Sequence, residues 1–156
     1  MGRSAPRIAK VHISNGEKKS FECTEQEIEK IVSDHHLVIY GPSEYGKTIF
    51  LENLSVNLSI NGVFIYLDFR DDCAGKNYTQ IVQEKIVTLE EKNIINAVFI
   101  LDHLIVDKKN FREVIDFFNG INKRCIIPIS NEFLFDAICK DSEYDDIEKI
   151  QIKQWS

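Results

Sequence analysis

Short apolar runs recur along this chain, separated by segments of helical period, and that alternation restricts the fold more than any other feature. Leu37–Tyr40 and the segments 63–69, 97–101 and 126–129 are brief, continuous and rich in β-branched or aromatic residues. Such runs read as strands buried on both faces. Between them the period changes. Residues 47–58 place Phe50, Leu51, Leu54 and Leu58 on one helical face, and Asn61-Gly62 ends that segment. After a polar loop at 71–77, residues 78–91 repeat Tyr78, Ile81, Val82, Ile86 and Leu89 at helical spacing. A third helix carries Phe111, Val114, Ile115 and Phe118, with Asn110 as the expected N-cap and Gly120 closing it. Residues 133–139 read as a short helix and 147–152 as a last strand. Pro128 sits awkwardly inside its run, because it brings no N–H to a ladder. Strands alternating with helices across short loops predict an α/β fold in three layers, with a mainly parallel central sheet.

The first 36 residues read differently. Val11 and Ile13 alternate with polar neighbours, Asn15-Gly16 offers a positive-φ turn, and Phe21 and Cys23 alternate on the return. This predicts an N-terminal β-hairpin over 7–23. Thr24 and Glu27 have capping-box spacing before a short helix whose apolar stripe is Ile28, Ile31 and Val32. The expected organisation is therefore 1–36 as hairpin and helix packed on a core spanning 37–156. With 156 residues there is room for one such core.

Composition narrows the function. A net charge of −6 argues against gripping nucleic acid through bulk positive charge. Clusters such as Arg3, Arg7 and Lys10, or Lys108, Lys109 and Arg112, read as solvated faces. Cys23, Cys73, Cys125 and Cys139 form no C-x-x-C pair and have no histidine at metal-ligand spacing. This reads as free thiols in a reducing compartment, cytoplasmic or, in a eukaryote, nuclear. His35-His36 reads as structural. No apolar run reaches the length of a membrane span, and no hydrophobic signal core opens the chain.

The chemistry concentrates where the first buried strand ends, in Gly41, Pro42, Ser43, Glu44, Tyr45, Gly46, Lys47 and Thr48. The spacing G-x-x-x-x-G-K-T is that of the P-loop, or Walker A, motif. Glycines let a backbone close round a phosphate without Cβ clashes. Its N–H groups then form an anion nest, reinforced by the start of the following helix. Lys47 would reach the β- and γ-phosphates, and the Thr48 hydroxyl would ligate Mg²⁺. A second signal is Val98-Phe99-Ile100-Leu101-Asp102, four apolar residues and a carboxylate at a strand end, similar to Walker B. Asp102 would hold the magnesium through water.

On these residues the chain resembles the P-loop NTPase superfamily, over about 37–152. More narrowly it is similar to the branch with one extra strand between the P-loop strand and the Walker B strand. The segment 63–69 is expected to be that strand or its partner. AAA+ ATPases of the replication-initiator and helicase-loader kind share this layout, as do RecA-like recombinases and their paralogues. The resemblance implies ATP, with GTP as the alternative, and Mg²⁺ as ligands. It also implies a polar sensor at Ser130 or Asn131, able to orient the attacking water. The RecA-like likeness rests on Gly41-Pro42, on Ile65-Tyr66-Leu67-Asp68 and on Ser130-Asn131. Where those proteins carry a catalytic glutamate, this chain has Phe69-Arg70-Asp71-Asp72.

The chain also departs from these families. AAA+ enzymes follow the Walker B aspartate with a second acid; here His103 follows Asp102. Glu44 puts a carboxylate inside the phosphate loop. The chain ends at Trp155-Ser156, about where an AAA+ lid would begin, so the expectation is a core without a lid. Arg70, Arg112 and Arg124 are the candidates for a finger reaching a neighbouring subunit. Three readings follow. One is a subunit or accessory ATPase of a DNA replication or recombination complex, with Lys47, Asp102, His103 and Ser130 as its catalytic set. In it a protein partner or oligomer completes the site, and DNA is met through that partner. The second is a non-catalytic adaptor that uses the fold as a scaffold, with the hairpin as a docking element. The third is a small P-loop kinase with Asp68 near the acceptor.

Overall fold

A computed structural model describes residues 7–12, 18–23, 29–31, 33–41, 63–70 and 77–151. Two strands, β1 (Arg7–His12) and β2 (Lys18–Cys23), pair antiparallel with Arg7 opposite Cys23 and His12 opposite Lys18. This is the expected hairpin. Its Asn15-Gly16 turn, and the Thr24–Glu27 capping pair, lie outside the described residues. Residues 29–31 are helical.

The core is a five-stranded, all-parallel sheet. Its strands are β3 (Leu37–Tyr40), β4 (Val63–Asp68), β5 (Ala97–Asp102), β6 (Arg124–Ile129) and β7 (Glu148–Gln151), in the order β4-β5-β6-β3-β7. Among the described residues three helices connect them: α1 (Tyr78–Glu91), α2 (Lys108–Gly120) and α3 (Glu132–Lys140), with a 3₁₀ turn at Ser142–Tyr144 before β7. The β4→β5, β5→β6 and β6→β7 connections all run the same way across the sheet. Right-handed crossovers therefore place all three helices on one face.

Side-chain alternation shows the result. Val38, Phe99, Leu101, Cys125 and Ile127 point to the helical face and share one core with Val82, Phe111, Val114, Phe118 and Ile138. Leu37, Ile39, Ile100 and Ile126 point the other way and are equally buried, at 0% exposure. Both faces of the sheet are covered, which is the three-layer α/β arrangement. A fully buried phenylalanine such as Phe99 contributes about 1.5–3 kcal/mol. Aromatic pairs tie the layers: Tyr40 stacks on Phe135 at 4.8 Å, and Phe111 meets Tyr144 edge-on at 5.1 Å.

Two expectations need correction. The N-cap of α2 is Asp107, not Asn110. The Asp107 carboxylate accepts from the N–H groups of Lys109 and Asn110, while the Asn110 side chain accepts from the Asp107 N–H. Asn110 is thus the reciprocal partner in a capping box that starts three residues earlier. Arg124 is not a surface arginine. It is 9% exposed, and its guanidinium donates to the carbonyls of Lys30, Ile31 and His35. Burial lowers its pKa to about 10. It fastens the segment before β3 to the start of β6 and cannot reach a neighbouring subunit.

His36 is structural, as expected. Its Nδ1 accepts from the Cys125 N–H at 3.1 Å, so Nε2 carries the hydrogen and donates to Asn119 Oδ1 at 2.8 Å. Cys125 is a buried free thiol whose pKa burial raises.

Candidate functional site

Pro128 opens the site. In a parallel ladder successive residues direct their polar groups to opposite neighbours. Ile129 faces β3, where its carbonyl accepts the Gly41 N–H at 3.1 Å. Pro128 therefore faces β5. The β5–β6 ladder has already ended, with Ile100 opposite Ile126. The missing N–H of Pro128 thus falls where no ladder bond is due. Beyond that point β5 stays paired to β4 as far as Asp68 and Asp102, and β6 stays paired to β3 as far as Tyr40 and Ile129. The sheet splits between them.

The split is a cleft of about 500 Å³ at the carboxyl ends of the strands, where ligands sit in such sheets. Asp102, His103, Ser130, Asn131, Arg70 and Pro128 are among its lining residues. Gly41, first residue of the glycine loop, is bonded to the β6 residue immediately before Ser130. Three sequence-predicted residues, Gly41, Asp102 and Ser130, therefore come together at one sheet edge. Pro42, Ser43, Glu44, Tyr45, Gly46, Lys47 and Thr48 lie outside the described residues.

Asp102 is 1% exposed. Tyr66, on β4, projects from the same face and donates its hydroxyl to Asp102 Oδ2 at 2.6 Å. Register explains the contact. Tyr66 lies opposite Ile100, so Asp102 is its diagonal neighbour, within reach of a long side chain. His103 Nδ1 approaches the same oxygen at 3.4 Å. Both contacts fall on Oδ2; among the described residues, Oδ1 takes none. His103 itself has φ 63°, a left-handed conformation that a non-glycine residue rarely adopts. That turn directs its ring back over the strand ends, and Nδ1 lies 3.1 Å from Asp68 Oδ1.

Asp68 and Asp102 are directly opposite each other in the ladder. Two carboxylates so placed repel unless cations or donors intervene. Arg70 supplies one answer: Nη2 lies 2.6 Å and Nε 3.1 Å from Asp68 Oδ2, and the Arg70 N–H donates to Oδ1 at 2.9 Å. These hydrogen bonds hold the Asp68 carboxyl at a pKa of about 2. His103 supplies the other.

Asn131 is the N-cap of α3, its side-chain oxygen accepting the Leu134 N–H at 3.1 Å. Of the two sensor candidates Ser130 is thus the one not committed to the cap. Of the three arginines only Arg70 lines the cleft; Arg112 pairs with Asp116 and Glu143. The sequence reading set Asp68 near the site only as a kinase residue; the contacts of Tyr66 with Asp102 and of Asp68 with His103 were missing from it. Their signal was present: both adjacent strands end in Leu-Asp, at Leu67-Asp68 and Leu101-Asp102.

Among the described residues no three histidine, cysteine, aspartate or glutamate side chains are arranged to hold a metal. Asp102 can offer a magnesium ion one hard oxygen, Oδ1, at the cleft, which suits an ion that keeps most of its waters. A second cavity, of about 490 Å³, lies at the opposite end of the strands. Its cationic and imidazole groups are spent within the fold, Lys123 on the Ile95 carbonyl, Arg124 on the carbonyls above and His36 on Asn119. Compared with known proteins, the chain matches no protein-family model and no curated protein. Among the described residues no helix is long and apolar enough to cross a membrane.

Proposed function

We propose that the chain binds ATP with Mg²⁺ through Gly41–Thr48, and that it serves as a subunit or accessory ATPase of a DNA replication or recombination complex. The observation that carries the reading is the shared edge. The strand ending in Asp102 and the strand ending at Ile129, just before Ser130, open on one cleft, and the strand leading into the G-x-x-x-x-G-K-T sequence pairs with the latter, the Gly41 N–H donating to Ile129. That order, with β6 between β3 and β5, agrees with the branch of P-loop proteins the sequence resembles. The segment 63–69 takes the partner position, on the outer side of β5. In this reading Lys47 meets the phosphates, Thr48 and Asp102 hold the metal, and Ser130 orients water. A cytoplasmic or nuclear setting accords with it.

Hydrolysis is weak, or depends on a partner that completes the site and brings DNA. His103 stands where the related enzymes carry a second acid, and Arg70 is committed to Asp68. The same two observations favour the adaptor reading as second choice. The kinase reading loses support, because Asp68 is engaged by both Arg70 and His103. The test is equilibrium binding of ATP and GTP with and without Mg²⁺, repeated on Asp102→Asn. Asparagine keeps an acceptor for Tyr66 and removes the charge. The expected outcome is ATP binding that Mg²⁺ tightens, with the Mg²⁺ increment lost in Asp102→Asn. An Asp102→Asn protein with the full Mg²⁺ increment contradicts the metal assignment.

A further inference from the structure

Ile105, 88% exposed, and Phe133, 86% exposed, are the most exposed large apolar side chains among the described residues. Both stand at the carboxyl edge of the sheet, Ile105 just before α2 and Phe133 in the first turn of α3. Both are held there. The Ile105 carbonyl accepts the Asn110 side-chain N–H at 3.1 Å, and Asn131 caps the turn that carries Phe133. Singly, such residues are ordinary on a protein surface, but here a groove begins beside them. α2 and α3 follow parallel strands and return over the same face, and a cavity of about 250 Å³ lies between them. Its floor is apolar, made by Phe111, Leu134, Ala137, Ile138 and Tyr144. An apolar cavity of about 150 Å³ already takes a benzene ring, so there is room for one large side chain. Leu134 lines the cleft as well, so the groove meets the cleft next to Phe133.

We propose that this groove docks an acidic amphipathic helix of a partner protein. A slot between two helices suits a third, which lays its apolar stripe on the floor. Charge decides which helix. At the far end of the groove Arg112 is already paired with Asp116 and Glu143, and Asp141 accepts the Glu143 N–H. At the near end Lys108 lines the groove and Lys109 follows it, and neither ammonium meets a carboxylate among the described residues. Both lysines occupy the first turn of α2, which holds no acidic residue and where the helix dipole already makes the potential positive. Aspartate or glutamate flanking the partner's apolar stripe relieves that potential, whereas lysine or arginine adds to it. A second copy of this chain fits less well. A two-fold contact centred on the groove brings the same two lysines of both copies into one interface. None of the groove residues belongs to the proposed nucleotide set, and the inference does not rest on that reading.

The probe comes from display selection on the full chain. The library holds helical peptides of about fifteen residues, with apolar residues fixed at i, i+3, i+4 and i+7 and every other position random. Selected peptides are expected to be enriched in Asp and Glu beside the apolar stripe. The most enriched peptide, made synthetically, is expected to shift the amide signals of Lys108, Phe111, Phe133 and Ala137 in ¹H–¹⁵N spectra. Its affinity is expected to fall at least about tenfold for Phe133→Ser and for the pair Lys108→Glu with Lys109→Glu, all exposed positions where the fold tolerates change. The charge-reversed pair is expected to prefer the same peptide with its acids replaced by lysine. Recovery of no peptide, selection without acidic enrichment, shifts confined to another surface, or affinity indifferent to Phe133→Ser overturns the proposal. Sedimentation equilibrium of the chain alone tests the other occupant. An association state unchanged by Phe133→Ser is expected; a dimer that Phe133→Ser dissolves assigns the groove to a second copy and overturns the proposal.

Discussion

Asp68 shows how one exposed contact sets a charge. Its carboxyl is held at about 2 by hydrogen bonds from Arg70, with His103 adding a smaller attraction. The sign follows from the depressed folded value. The contribution to stability is complete above the ordinary carboxyl pKa near 3.8 and is lost as pH falls from there through about 2. Between pH 5 and 8 it is constant. The pair is partly exposed, so its worth to the fold is at most about 1 kcal/mol. Arg70→Gln is expected to raise the Asp68 pKa toward the ordinary value, read by carbon-detected NMR titration of the side-chain carboxyl. A carboxyl still near 2 in that variant would remove Arg70 as the cause. At this scale Asp102 was legible in the sequence as a carboxylate ending an apolar run. Its contacts with Tyr66 and His103 were not. They depend on β4 lying beside β5 in a particular register, and no local pattern specifies which strand a strand will neighbour.

Among the elements, β6 does two jobs that its apolar sequence hides. Its carboxyl end, through Pro128, lets the sheet open. Its amino end, through Arg124, anchors the chain before β3. Removing that guanidinium strands three carbonyls, each costing about 1–3 kcal/mol when left without a donor in the interior. Arg124→Met keeps the length and apolar stem of the side chain. It is expected to lower stability by about 3 kcal/mol in urea denaturation, with nucleotide affinity retained at temperatures where the variant is folded. A loss under about 0.5 kcal/mol would mean that water replaces the arginine at those carbonyls. The elements themselves were largely readable. The helical period of 78–91 matches α1 residue for residue, because long amphipathic repeats leave few alternatives. Helix starts were read less well. At α2 the aspartate three residues upstream of Asn110 outcompeted it, since both residue types cap and only the box geometry decides.

For the molecule as a whole, acid stability should register His36. Burial lowers its pKa first of all, and the nearby charges of Arg124 and His35 lower it further. The Asn119 hydrogen bond and Asp146 oppose them. The imidazole is thus neutral in the folded chain where an unfolded one would begin to protonate. Stability is unaffected above the ordinary value of 6.5. It falls as pH drops below 6.5 and levels off once pH passes the lowered folded value. His36→Asn retains an acceptor for the Cys125 N–H and has no proton to take up. It is expected to flatten the decline between pH 7 and 5, measured by thermal unfolding at a series of pH values. An unchanged slope would place the acid sensitivity elsewhere. The parallel sheet and its two covered faces were legible from alternating periods alone. The strand order was not, and it is the order that brings Ser130 and Asp102 to one cleft with Gly41 bonded beside it, to Ile129.

The central claim is that this cleft and the glycine loop form one nucleotide site, and Lys47 tests it most directly. Calorimetric titration of ATP with Mg²⁺ into the natural chain and into Lys47→Ala compares the two with the fold intact, verified by circular dichroism. Saturable binding to the natural chain is expected, with at least about tenfold weaker binding to Lys47→Ala, a difference of about 1.4 kcal/mol or more. Equal affinities in the two proteins would contradict it.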